Sequence, residues 1–269
     1  MKSINAKNYY SQTANKEFMS VSQFKTFTQC EARALAELNG EYKRPESSAL
    51  FLGSYVDEML TGTKKSQAKF IEDNHSNLFK KNGDPYADVL KAIDAVERVK
   101  KQPLMMKYLS GTKQKIMTGE IGGIPWKIKM DSYKPGEFIA DLKYLKDLRS
   151  PNLFESAIKY WGYDIQMAVY QEIVYQNTGE RLPTYLVIVT KETVPRVAVA
   201  EVNSWNLISA MENVQKQLPR IVAVKNGEVA PERCGDCDFC ADTEVLTEPI
   251  DSDLLGMSAK QREAMQGKL

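Results

Sequence analysis

The stretch from 113 to 144 constrains the fold most. Its apolar residues alternate with polar ones, and Gly122-Gly123 and Pro135-Gly136 divide it into three runs. Alternation in twos marks strands with one buried face, and the two dipeptides suit tight turns, so the spacing predicts a three-stranded meander. In the middle strand Trp126, Ile128 and Met130 point one way and Lys127, Lys129 and Asp131 the other. In the third, Asp141 and Lys143 share a face, while Leu142 between them points into the core.

Helical periods flank this meander. Ser20-Val21-Ser22-Gln23 reads as a capping box, with Ser20 accepting from the third helical amide and Gln23 reaching back. Phe24, Phe27, Ala34, Leu35 and Leu38 then predict one helix running to Gly40. A second is expected over 48–60, with Leu52, Val56 and Leu60 on one stripe, Gly53 and Asp57 on the adjoining face, and Gly62 at its end. One or two more are expected within 66–110, broken around Asn82-Gly83-Asp84-Pro85, with Val89, Ile93 and Val96 buried. After the meander the pattern predicts a helix over about 152–177 capped by Gly179, strands over 184–191 and 196–202, and a helix over 204–224. This order describes an α/β (α+β) fold: a central mixed sheet flanked by helices, with a helical N-terminal part. The chain has 269 residues, 43% of them hydrophobic, which is enough for one large core, and it contains no internal repeat or low-complexity linker.

The 36 basic and 35 acidic side chains nearly cancel, so net charge alone does not point to nucleic acid. Locally, Arg98, Lys100, Lys101, Lys107, Lys113, Lys115, Lys127 and Lys129 gather before Asp131. They form either a solvated face or a track for phosphates. No run approaches eighteen apolar residues, and the opening MKSINAKNYYSQTANKEF has no secretory pattern, so a cytoplasmic protein with no membrane contact is expected.

Two carboxylates converging on one point make a hard oxygen site suited to magnesium or manganese, and a lysine beside them can offset charge that develops on phosphorus. Asp131, across the Pro-Gly hairpin from Asp141 and Lys143, can complete such a group, although alternating charge on an exposed strand edge gives the same letters. Two further residues, Gln166 and Tyr170, stand at i and i+4 on the following helix.

Asp131, then Asp141-Leu142-Lys143 ten positions on, then Gln166-Met167-Ala168-Val169-Tyr170 resemble the core of the PD-(D/E)XK nucleases with its Gln-x-x-x-Tyr helix, and most closely the RecE-like phage and prophage exonucleases. The segments Met19-Ser20-Val21-Ser22-Gln23-Phe24 and Gly53-Ser54-Tyr55-Val56-Asp57 also have counterparts there, so the resemblance covers 19–240. It implies a restriction-endonuclease-like domain over 19–240, with a helical part (19–110), a catalytic core (111–226) and a cysteine segment (227–240), between an N-terminal extension (1–18) and a C-terminal tail (241–269). It further implies that Asp131 and Asp141 bind Mg2+ or Mn2+, that Lys143 orients or activates the attacking water, and that Gln166 and Tyr170 face the same cleft. Asp57 stands where many relatives carry a metal-binding histidine, and aspartate is a competent third oxygen ligand. The implied activity is DNA hydrolysis, resecting one strand of a duplex end, by a ring-shaped homo-oligomer working with a single-strand annealing protein. The rival readings are an overhang-trimming nuclease like those of CRISPR adaptation and a non-catalytic DNA-binding protein with a degenerate nuclease fold.

Cys234, Cys237 and Cys240 form Cys-x-x-Cys-x-x-Cys, and Cys30 lies far upstream. In a cytosolic protein this spacing argues for metal ligation over disulfides. The triplet matches the first three ligands of a ferredoxin run, while four thiolates suit zinc equally well. One early and three late cysteines resemble the AddB-type helicase-nucleases and the CRISPR adaptation nucleases, which implies a [4Fe-4S] cluster fastening the C-terminal segment to the first helix, with Zn2+ as the alternative. The only histidine, His75, sits in a polar Asp73-Asn74-His75-Ser76 setting and is not expected to bind metal.

Overall fold

The meander forms as its periodicity predicts, and its middle strand organises the rest of the chain. The computed structural model describes residues 4–45, 47–149, 156–245, 249–258, 261–262 and 265. β1 (Thr112–Ile121), β2 (Ile124–Lys134) and β3 (Phe138–Leu145) pair antiparallel; β4 (Thr184–Thr190) lies parallel to β3, and β5 (Val197–Glu201) antiparallel to β4. The result is a mixed sheet in the order β1-β2-β3-β4-β5. Gly122 and Gly123 at the first turn have φ of 60° and 75°, a left-handed pair that glycine adopts without strain.

The helices before the sheet are α1 (Gln12–Glu17), α2 (Val21–Gln29), α3 (Glu31–Asn39), α4 (Ser48–Thr61), α5 (Lys64–Asp73), α6 (His75–Leu78), α7 (Ala87–Lys100) and α8 (Pro103–Tyr108). α9 (Ala157–Tyr160) and α10 (Tyr163–Thr178) lie between β3 and β4, where a parallel connection needs a crossover; α11 (Ser204–Lys225) follows β5, and α12 (Asp238–Asp242) carries the last cysteine. On one face of the sheet Trp126, Ile128, Met130, Ile139 and Leu186 pack with Phe24 and Phe27 of α2, Met167 and Ile173 of α10, and Val214 and Leu218 of α11. On the other, Ala140, Leu142 and Val187 pack with Val56 of α4 and Val96 and Val99 of α7. No helix among the described residues is long and apolar enough to cross a membrane.

Several local expectations need correction. The single helix expected over 20–40 is two, because Cys30 takes an extended conformation (φ −162°, ψ 107°) between α2 and α3, and the hydrophobic period continues across the break. Half of the capping box forms: Ser20 Oγ accepts from the Gln23 amide at 3.3 Å, but the Gln23 side chain donates to the Asn15 carbonyl instead. The 66–110 region holds more helices than expected, α5 to α8, and Ile93 in its stripe is only partly buried. The helix expected to begin near 152 starts outside the described residues; within them α9 and α10 are separated at Gly162, whose φ is 61°. Lys127 is not available to phosphate. It is buried, with its Nζ bonded to the Tyr9 carbonyl at 2.5 Å and to Asn15 Oδ1 at 2.7 Å, and burial lowers its pKa to about 8.

Pairing of β2 with β3 stops after Ser132–Ala140, and the edge of β2 beyond that point finds other partners. The Met19 amide donates to the Pro125 carbonyl, Met19 accepts from the Lys127 amide, and the Lys129 carbonyl accepts from Tyr170 Oη. Buried backbone groups rarely stay unpaired, so these three bonds fix α2 and α10 against the opening. Trp126, fully buried against Phe24 at a ring separation of 5.9 Å, closes its inner end. Its indole nitrogen has no hydrogen-bond partner, so packing is what it contributes. Trp126→Ala is therefore expected to cost about 3–5 kcal/mol in urea unfolding, and Trp126→Phe far less; equal losses in the two variants would contradict this account of the opening.

Candidate active site

The site lies where β2 and β3 part. Strand parity puts Asp141 and Lys143 on the same side of β3, toward α10, and Leu142 on the opposite side. The Leu142 amide points toward β2, but instead of a strand carbonyl it meets Asp131 Oδ2 at 3.0 Å. Asp131 therefore bridges the gap that the interrupted ladder leaves.

α10 closes one side. Gln166 Nε2 donates to Asp141 Oδ1 at 2.6 Å and to Tyr170 Oη at 3.1 Å, while Gln166 Oε1 accepts from Lys143 Nζ at 2.8 Å. One amide thus fixes both the carboxylate and the ammonium, and Tyr170 anchors it to the Lys129 carbonyl at 2.9 Å. Lys143 Nζ lies 2.5 Å from Asp141 Oδ2 and 4.7 Å from the centre of the Tyr163 ring. Lys25 of α2 approaches the same ring at 5.5 Å and donates to the Trp161 carbonyl; burial lowers its pKa to about 8, with repulsion from Lys143 adding to the effect.

α4 closes the other side. Asp57 Oδ1 accepts from Thr61 Oγ1 at 3.0 Å. Gln114 Nε2 reaches Asp57 Oδ2 at 3.2 Å and Asp131 Oδ1 at 3.3 Å, tying the two carboxylates together. Gln114 has φ of 49° within β1, a left-handed conformation that is uncommon for a non-glycine residue in a strand. The β1–β2 register skips it, pairing Lys113 with Ser132 and Lys115 with Met130. Such strain persists where the surroundings over-determine it. Nothing in the sequence marks Gln114, whose part depends on that backbone turn; Thr61, Tyr163 and Lys25 were equally unmarked.

The sequence-predicted residues Asp57, Asp131, Asp141, Lys143, Gln166 and Tyr170 are thus brought together, the two outer carboxylates through Gln114. Burial holds Asp131 well above the ordinary carboxyl pKa, and the Asp141 and Asp57 charges raise it further. Burial raises Asp57 as well. Burial alone would lower Lys143, but the Asp141 and Asp131 charges outweigh it and its pKa is raised. Asp141 is 2% exposed, and its Oδ2 has the Lys143 ammonium as a close neighbour but no aligned hydrogen bond. Three acidic groups that repel one another at one point fit a hard divalent cation by donor chemistry. A groove of 830 Å³ between α10 and α11 contains none of these residues.

His75 stacks on Phe79 at 4.9 Å and takes no part. The four cysteines converge elsewhere, their sulfur atoms all within 4.8 Å of one another and none in a disulfide.

A family model described as a PDDEXK-like domain of unknown function matches residues 20–243. The crystal structure of a "Putative exonuclease" from Eubacterium rectale superposes with a TM-score of 0.88 at 42% identity, over 96% of this chain and 100% of that one. The crystal structure of SSO0001 is far more distant, at 13% identity and a TM-score of 0.31 over 86% of this chain and 96% of that one. No curated protein matches the chain.

A carboxyl whose pKa is raised on folding binds protons more readily folded than unfolded, so its share of stability falls as pH rises above the unfolded value of about 3.8. In EDTA, Asp131→Asn is accordingly expected to melt higher than the native chain at pH 7 to 8, with the difference shrinking toward pH 4. Thermal melts across that range check it; a variant less stable at every pH would contradict the repulsion described.

Proposed function

The chain belongs to the PDDEXK-like domain family, and from that premise we propose that it is a metal-dependent deoxyribonuclease that hydrolyses phosphodiester bonds at Asp131, Asp141 and Lys143. The observation that carries the reading is the bonded group Asp141–Gln166–Lys143 lying beside the mutually repelling Asp131 and Asp57.

Asp131 and Asp141, with Asp57 as a third oxygen donor, would hold Mg2+ or Mn2+. Such an ion, when bound, polarises a phosphoryl oxygen and makes water a stronger nucleophile. Lys143 carries a firm positive charge into the partly buried site, where it can hold the attacking water and offset negative charge growing on the phosphate. Gln166 keeps the ammonium and the Asp141 carboxylate aligned, and Tyr170 keeps Gln166 in position. This division makes Gln166 and Tyr170 positioning residues. Asp57 would supply an oxygen ligand at a position where many RecE-like relatives carry histidine.

The substrate in this reading is DNA, and the reaction is exonucleolytic resection of double-stranded ends for phage-type recombination. The 42% identity to the Eubacterium rectale "Putative exonuclease" over nearly the whole chain supports the exonuclease part. A ring-shaped homo-oligomer, a single-strand annealing partner and a cytoplasmic setting complete the reading through the RecE-like resemblance. The cysteine cluster has a structural part, separate from the reacting phosphate.

End-labelled duplexes, duplexes with overhangs and single strands, incubated with Mg2+ or Mn2+, test the proposal. Progressive loss of one strand from duplex ends is expected, while confinement of cutting to overhangs would favour the trimming activity of CRISPR-adaptation relatives. Asp141→Asn and Lys143→Ala are expected to lower the rate at least about 100-fold, with circular dichroism unchanged. A native chain that binds these DNAs and degrades none of them in either metal would overturn the proposal in favour of a binding protein.

A further inference from the structure

The four cysteines lie far from the carboxylate site, and what they hold can be argued from their own geometry. Cys30 occupies the joint between α2 and α3; Cys234 and Cys237 lie on the loop before α12, and Cys240 lies within it. Cys30 Sγ is 3.7 Å from Cys240 Sγ, Cys234 Sγ is 3.9 Å from Cys240 Sγ, and the four sulfurs all lie within 4.8 Å of one another. Cys30 and Cys240 are 3% exposed, and the other two are partly buried.

Each candidate occupant demands a different separation. A tetrahedral ion with metal–sulfur bonds of about 2.3 Å sets its sulfurs about 3.8 Å apart. In a [4Fe-4S] cluster every thiolate bonds a different iron at the corner of a cube, which spreads the sulfurs to roughly 6 Å and beyond. A two-iron cluster keeps two sulfurs on each iron close but separates the pairs across the irons by a similar distance. Separations within 4.8 Å for every pair are shorter than either inorganic core requires, and the Cys30–Cys240 and Cys234–Cys240 pairs, at 3.7 and 3.9 Å, match one ion.

The chain around the sulfurs is shaped to bring them to one point. Gly235 adopts φ of 75° between Cys234 and Cys237, a left-handed turn that glycine takes without strain. The surroundings also hold the two ends of the chain in register: Arg220 bonds Glu31 at 2.9 and 2.8 Å, Glu31 accepts from the Glu232 amide at 2.8 Å, and the Ala32 amide donates to the Glu232 carbonyl at 3.0 Å.

We infer that Cys30, Cys234, Cys237 and Cys240 bind a single Zn2+ in a closed tetrathiolate site, and not the [4Fe-4S] cluster that the AddB-like cysteine pattern implies. All four positions are filled by protein sulfur, so the ion has no open place for water or substrate, and its part is to join the α2–α3 corner to the C-terminal segment. Tying residues so distant in sequence removes a large closure entropy from the unfolded chain. The inference is independent of the nuclease reading, since it involves none of the residues at the β2–β3 opening.

The test is metal analysis of the full chain purified without oxygen from iron-supplemented cells, by elemental mass spectrometry, acid-labile sulfide assay and visible absorption. The expected result is about one zinc per chain, no sulfide and a colourless protein, with Co2+ exchange giving tetrahedral thiolate absorption. Cys237→Ser, at a partly exposed ligand, is expected to lose the zinc and melt at lower temperature, whereas Asp141→Asn keeps its zinc while losing activity. About four irons with matching sulfide, one iron without sulfide, or a native chain free of metal would each overturn the inference. Cys30→Ser adds a second arm should Cys237→Ser keep partial binding: retention of zinc in both variants would also overturn it.

Discussion

Premature separation of β2 from β3 is the constraint on which the proposed site depends. Were the ladder to continue past Ser132–Ala140, Asp131 and Asp141 would stand opposite each other as an ordinary cross-strand pair of like charges, which is unfavourable. With the strands parted, Met19 and Tyr170 satisfy the vacated edge of β2, Asp131 caps the Leu142 amide, and the opening is lined from α4 on one side and α10 on the other. A sheet flanked by helices on both faces can in this way bring acids from two layers to one point.

The second feature is the concentration of charge in a partly buried place. Asp57, Asp131 and Asp141 lie together beside the Lys143 ammonium, and burial opposes ionisation of both Asp57 and Asp131. Thr61, Gln114, Gln166 and the Leu142 amide offset part of that cost by donating to the three acids. The strained Gln114 backbone belongs to the same balance, because in that conformation its amide reaches both Asp57 and Asp131. Divalent cations relieve such repulsion more completely than hydrogen bonds do, and this is the physical basis for reading the pocket as a metal site.

Much of this was legible in the sequence, for reasons specific to each residue. Parity along β3 is enough to put Asp141 and Lys143 on one face, and the i, i+4 spacing of Gln166 and Tyr170 is enough to make them neighbours on α10. The break at Cys30 was hidden because the apolar period runs through it unchanged. Lys127 looked like one more basic residue in a cluster, since its burial depends on Tyr9 and Asn15, far away in the chain. Gln114 could not be found, because its part follows from a left-handed φ that no local pattern signals. The cysteine motif gives four candidate thiolates but not the distances between them, so the inference of one ion over an iron-sulfur core rests on the folded arrangement.

The central claim is that the opening between β2 and β3 binds a divalent cation through its carboxylates. Mn2+ binding to the full chain as purified, followed by electron paramagnetic resonance without DNA, addresses this directly. The native chain should take up Mn2+ at a site that Mg2+ competes for, and both Asp131→Asn and Asp141→Asn should weaken that binding at least about tenfold while leaving the cysteine-bound metal in place. Equal Mn2+ affinity in the native chain and both variants would contradict it.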